Sequence, residues 1–235
     1  MQPFNIKKSW VYPNIEHWAD EILKNLDRVN KFYKHETGVI LDVGGGLAPI
    51  AEIINSQCYQ YILVDPNTSR LDLVADFIDK RKGYGEAMPV DDESVDIILT
   101  SSCLQYMNQS KFFNECKRTL KSGGFIAVHE NGPMNPIILF ARLIQRIIGL
   151  FDKKHWNYRN SIKRYYSPNE IDGLKILSKS QTGLLTPFML YFQFLKLKAP
   201  NNLYSHLLKI DDFLLKTFPS LKKFAFLNAV IYVKN

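Results

Sequence analysis

No two of the three cysteines, Cys58, Cys103 and Cys116, have the spacing of a redox or zinc motif, and their number is odd. A disulfide framework and a structural zinc site are therefore not indicated, and a reducing, cytoplasmic setting fits best. The N-terminus, MQPFNIKKSW, has no apolar run of leader type. The longest greasy stretch, residues 136–151, is shorter than a bilayer span and is broken by Arg142, Gln145 and Arg146. Low-complexity tracts and internal repeats are absent, and with 46% hydrophobic residues in 235 a folded chain is expected. Acidic residues are scarce in one region only. Residues 151–235 hold 14 Lys and Arg against 5 Asp and Glu, so the net charge of +7 belongs to the C-terminal part. That charge alone names no partner.

Hydrophobic periodicity sets the organisation. Residues 14–35 carry Ile15, Trp18, Ile22, Leu26, Val29 and Phe32 at helical spacing, so a helix precedes the first strand. Strands are then predicted at 38–43, 59–65, 94–100 and 123–130, with helices at 48–55, 69–79 and 109–121 between them. Such alternation implies a parallel sheet covered on both faces, with ligands at the C-terminal ends of its strands. Past Glu130 the rhythm changes: a helix at 136–151, a short helix capped by Ser167 with Pro168 in its first turn, a strand at 175–182, an apolar stretch at 184–195, a helix at 203–218 and a last strand at 224–233. Core burial is the preferred reading of the apolar residues in 136–151 and 184–195.

Chemistry enters with LDVGGGLAPIAEII, residues 41–54. Gly44, Gly45 and Gly46 between strand and helix would let a ligand meet bare backbone at a helix N-terminus. Asp65 ends the next strand, where an acid would bond the two hydroxyls of a ribose, so the pair suggests an adenosine-type ligand. A dinucleotide motif read from Gly44 would need glycine where Pro49 stands, which argues against NAD or FAD.

Four blocks, VILDVGGGLAPIAEII, YILVDPN, GEAMPVDDESVDIILTSSCLQYM and FFNECKRTLKSGGFIAVHE, together resemble the successive motifs of the class I S-adenosylmethionine-dependent methyltransferases. The resemblance covers residues 36–131. It implies an α/β, Rossmann-like fold: a doubly wound, mostly parallel seven-stranded sheet with helices on both faces and helical lid additions. It further implies a single domain, with 1–35 as a helical cap, 36–131 as the cofactor-binding core, 132–170 as the lid and 171–235 as C-terminal strands with a helical insertion. Asp42 and Gly44 would hold the methionine end of S-adenosylmethionine, with Gly45 and Gly46 admitting close approach and Asp65 taking the ribose. Glu86 and Ala87 would lie in the adenine loop, and Ser101, Ser102, Cys103 and Leu104 in the wall beneath the cofactor. Two departures stand out: Ala48 occupies the third small position of the glycine motif, and Tyr84 aligns where an acid is often found.

The acceptor is sought in the part that resembles the family least. Tyr106, Arg142, Arg146, Tyr165 and Tyr166 are candidate acceptor-binding residues, and a small molecule such as a sugar or secondary metabolite is the expected substrate, methylated on oxygen or nitrogen. For a hydroxyl acceptor the candidate bases are Glu130 and His155, with Glu130 preferred over its neighbour His129 because it lies nearer the strand end. No metal is expected. Three alternatives remain: a lipid or lipid-linked acceptor with peripheral membrane contact, a non-catalytic binding module, and a nucleic-acid substrate. The last is disfavoured because TSSCLQYM replaces the Asn/Asp-Pro-Pro-aromatic signature of enzymes that methylate base amino groups.

Overall fold

The computed structural model describes residues 37–48, 50–51, 59–149, 164–195 and 197–235. The expected helix at 14–35, most of the one at 48–55 including Pro49, and His155 lie outside the described residues.

Seven strands form one sheet: β1 (Gly38–Val43), β2 (Tyr59–Asp65), β3 (Asp79–Lys82), β4 (Val95–Ser101), β5 (Leu120–Asn131), β6 (Leu174–Thr182) and β7 (Leu227–Lys234). Their order is β3-β2-β1-β4-β5-β7-β6. Only β7 runs antiparallel to its neighbours, so the sheet is mostly parallel, as expected. Strand order reverses between β1 and β4, the point at which sheets of this kind hold ligands against the C-terminal strand ends. The central strands carry apolar runs through their middles because both faces are covered, with polar residues gathered toward their ends. Ile40, Leu63, Leu99 and Ala127 join a core on one side, and Leu41, Ile98, Ile126 and Val128 a core on the other.

The helices are α1 (Thr68–Leu71), α2 (Gln109–Thr119), α3 (Pro136–Gly149), α4 (Met189–Phe194) and α5 (Leu203–Thr217). α2 is started by Asn108, whose side chain accepts from Lys111 N at 3.2 Å, and it buries Phe112, Phe113 and Cys116, the face expected from their spacing. α3 is started by Asn135, which accepts from Ile138 N at 3.2 Å, with Pro136 in the first turn.

Three expectations fail. The helix at 69–79 shrinks to the single turn α1, because residues 79–82 pair with Ile62–Asp65 as the edge strand β3. Its helical spacing is real at Leu71, Val74 and Ile78, yet Leu73 and Phe77 are exposed, and sheet pairing overrides the local pattern. No helix follows Ser167. Residues 164–170 are non-helical, and the Asn169 carbonyl that a helix would engage accepts from the Tyr232 hydroxyl at 3.0 Å. Core burial of 136–151 holds for Ile138, whereas Leu139, Phe140, Leu143 and Ile147 are exposed.

The long connection between β6 and β7 is an insertion and not a misplaced strand, since both strands pair over most of their length. Two buried polar side chains clamp it. The Asp211 carboxylate accepts from Leu185 N at 2.7 Å and Thr186 N at 3.0 Å, and the Asn135 amide donates to the carbonyls of Gly183, Leu184 and Phe224 at 3.2, 3.0 and 2.9 Å. Asn135 thus ties the start of α3 to both ends of the insertion.

Candidate cofactor and acceptor site

The turn after β1 is built around Asp42. Its carboxylate is buried, accepts a 2.6 Å bond from the Tyr61 hydroxyl on β2, and lies so close to Gly45 that any Cβ there would collide with it. Burial pushes the Asp42 carboxyl up to about 7, against the pull of the Tyr61 bond, and Asp65 adds to the rise. Gly44 turns the chain with φ +71°, and a Cβ there would meet Cys103 Sγ at 2.8 Å. Gly46 also has positive φ, but beside it the space is open, with the nearest atom, Arg70 Nη1, at 3.8 Å. Ala48 keeps the left-handed conformation, φ 49°, at the position where the family pattern places a small residue.

Asp65, at the end of β2, is buried and spans the same turn. One oxygen accepts from Gly46 N at 3.2 Å and the other from Asn67 N at 2.8 Å. Each oxygen keeps a further lone pair for a ligand hydroxyl. Among the described residues, Ser101 Oγ and Asn131 Oδ1, at the ends of β4 and β5, are buried side-chain atoms without a hydrogen-bond partner. Such atoms normally find one, and a polar ligand in the crevice would supply it.

These features fit S-adenosylmethionine. An acid that gains from a cation, a second acid beside bare backbone, open space at Gly46 and orphaned polar atoms in the floor match an ammonium, a ribose and a polar chain between them. Tyr61 and Asn131 were not singled out in the sequence: their roles depend on register between strands, which no local pattern carries.

The remaining expected residues divide. Glu86 accepts from Asn108 N at 2.8 Å, so it fixes the turn before α2, while Ala87 is exposed beside it. Ser102 adopts φ 52° and donates its N–H to the His129 carbonyl at 2.8 Å. Glu130 is buried, and one of its carboxylate oxygens accepts from both Cys103 N and Leu104 N at 2.8 Å, holding the turn after β4 from below. Burial pushes this carboxyl up to about 8 despite those two bonds. His129 is buried on the opposite face of β5 and is held down to about 3, so its imidazole is neutral.

On the acceptor side, Arg142 stacks over the Tyr165 ring at 4.1 Å and donates to the Pro133 carbonyl at 3.3 Å. The segment bearing Tyr165 is pinned to the β4 turn through Arg164 N to the Gln105 carbonyl, 3.2 Å, so Arg142, Tyr165 and the turn bearing Tyr106 come together. Arg146 lies one turn further along α3 and is exposed. Tyr166 corrects the expectation. Its side chain is buried between the sheet and α2, with its hydroxyl 2.6 Å from that of Tyr232, because neighbouring residues of an extended segment point to opposite sides.

Residues 41–128 match the family model described as a methyltransferase domain. Two proteins of Schizosaccharomyces pombe are similar: an uncharacterised methyltransferase, 30% identical over 49% of this chain and 44% of its own length, and an uncharacterised methyltransferase-like protein, 28% identical over 53% and 50%. The chain thus spans about half the length of the curated relatives it matches. Among solved structures, a candidate sarcosine dimethylglycine methyltransferase from Galdieria sulphuraria has a TM-score of 0.57 at 14% identity, covering 93% of this chain and 86% of that one. The 4+2 cyclase SpnF has a TM-score of 0.53 at 15% identity, covering 90% and 80%. At these identities the likeness shows the fold, and a cyclase among the neighbours illustrates why fold alone does not name a reaction.

Proposed function

We propose that residues 41–128, which match the methyltransferase-domain model, form the core of a class I S-adenosylmethionine-dependent methyltransferase, and that the chain transfers the methyl group to an oxygen or nitrogen of a small-molecule acceptor. The observation that supports this reading most is the pair of buried carboxylates, Asp42 and Asp65, at the ends of adjacent strands around a turn that tolerates no side chain at Gly45. When bound, S-adenosylmethionine supplies a methyl group on a sulfonium, open to in-line displacement. The chain's own work is positioning and exclusion of water. Asp42 would pair with the ammonium, Asp65 would accept from the ribose hydroxyls, and Arg142 and Tyr165 would orient the acceptor from above.

Glu130 holds the floor of the site through the amides of Cys103 and Leu104. With its carboxyl lifted to about 8 it is also suited to receive a proton from a hydroxyl acceptor. Glu130→Gln keeps an oxygen for the two amides and removes the base. A loss of kcat with an unchanged melting temperature is the expected result for a hydroxyl acceptor, and unchanged kcat eliminates the base role. Calorimetric titration with S-adenosylmethionine, S-adenosylhomocysteine and NAD tests the reading as a whole: binding of the first two and not the third is expected, and failure of both sinks it. A lipid or lipid-linked acceptor is the second reading, favoured by the exposed apolar side chains of α3.

A further inference from the structure

α3 is amphipathic in an unusual sense: its apolar stripe faces away from the protein. Pro136, Phe140, Leu143 and Ile147 recur at helical spacing on one face, and the last three are 57%, 51% and 55% exposed. Apolar side chains exposed singly are ordinary; a continuous stripe marks a surface that something covers. The patch continues beyond the helix. Phe140 meets the Tyr191 ring at 6.3 Å, and Tyr191 meets Phe188, itself half exposed, at 5.7 Å. The Tyr191 hydroxyl donates to the Ile137 carbonyl at 2.8 Å, so α3 and α4 are one surface unit.

Charge identifies the occupant. α3 contains Arg142 and Arg146 and no acid, and the insertion 183–226 contains six lysines against Asp211 and Asp212. Asp211 is buried and taken up by backbone amides, which leaves Asp212 as the exposed acid of the insertion. On α5 the exposed Phe213 has Lys209 and Lys216 one turn to either side. Two copies meeting through such cationic faces would repel, whereas an anionic bilayer complements both the stripe and its charges. No helix among the described residues is long and apolar enough to cross a membrane, so contact would be parallel to the surface.

We propose that the outward face of α3, with the adjoining insertion, docks this protein on an anionic phospholipid surface. α3 begins five residues after Asn131, at the strand ends where the acceptor would enter. Docking would therefore present the site's mouth to the interface, the geometry a lipid or lipid-linked acceptor requires. This deepens the second reading above, but binding needs neither cofactor nor turnover, so its failure and the failure of methyl transfer are read separately.

The test is co-sedimentation of the full chain with phosphatidylcholine vesicles, with and without about a quarter phosphatidylglycerol. Binding to the anionic vesicles alone, weakened by salt, is expected. Leu143→Glu combined with Ile147→Glu should lower partitioning about tenfold or more, and Arg146→Glu should lower it several-fold. Leu73→Glu, an exposed leucine elsewhere, should leave it unchanged, and each variant should keep the wild-type circular dichroism. Absence of binding, equal binding to neutral vesicles, or binding indifferent to the α3 substitutions overturns the proposal. So does a dimer in sedimentation equilibrium that the double substitution dissociates, since a second copy would then cover the stripe.

Discussion

The segment 38–131 and the segment 132–226 use their side chains in opposite ways. In the first, buried polar groups fix backbone around a crevice: Asp42 takes Tyr61, Asp65 takes Gly46 and Asn67, and Glu130 takes Cys103 and Leu104. In the second, Asn135 and Asp211 clamp the connection internally, while large apolar residues are left facing outward. A site for a polar, invariant ligand has to be rigid and satisfied in detail; a surface that meets a variable or fluid partner needs area and charge. If the proposals above hold, the cofactor turn and the outward stripe of α3 answer to different ligands, and substitutions at one should leave binding at the other standing.

The sharpest division is expected at Gly45. A methyl group there collides with the Asp42 carboxylate, so Gly45→Ala should lower affinity for S-adenosylmethionine about a hundredfold by calorimetry, with vesicle binding intact. Retained cofactor affinity would mean that the turn is not the binding surface. Next comes Glu130→Ala, which leaves two buried amides unpartnered. A destabilisation of about 2–4 kcal/mol is expected from chemical unfolding, against no measurable loss for Glu130→Gln.

The third effect is on pH. Because the free Asp42 carboxyl titrates near 7, it is protonated below that and cannot attract an ammonium. Cofactor affinity should fall by up to about tenfold per unit below about pH 7, and in that range Asp42→Asn should be weak and nearly flat. In the ligand-free protein the sign is opposite. The native state holds a proton that the unfolded chain releases near 3.8, so this group makes stability fall as pH rises from there to about 7. The smallest effect is at Tyr166. Tyr166→Phe should cost about 1 kcal/mol of stability and leave the acceptor KM unchanged, because its hydroxyl is shared with Tyr232 inside the core. A raised KM would return Tyr166 to the acceptor site.

Much of the cofactor half was legible in advance because its signals are local. A buried parallel strand is a continuous apolar run, a strand-to-helix turn near a ligand needs glycine, and an acid at the following strand end follows at near-constant spacing, so β1, β2, Gly44–Gly46 and Asp65 could be read directly, whereas Asp42 came only through the family resemblance. β3 could not. DKRK carries no strand pattern, and only pairing with β2 makes it one. Tyr165 and Tyr166 are equally aromatic neighbours, and no periodicity says which faces Arg142 and which faces Tyr232.

The sequence by itself determined the alternation of elements, the glycine turn with the acid that ends the next strand, and the basic C-terminal part, since each follows from spacing or composition along the chain. Only the tertiary structure decided what was shared between distant segments: that Glu130 supports the β4 turn, that Asn135 closes the insertion, and that the stripe of α3 points outward. An amphipathic helix specifies that it has an apolar face, but the direction of that face is fixed by what packs against the other side.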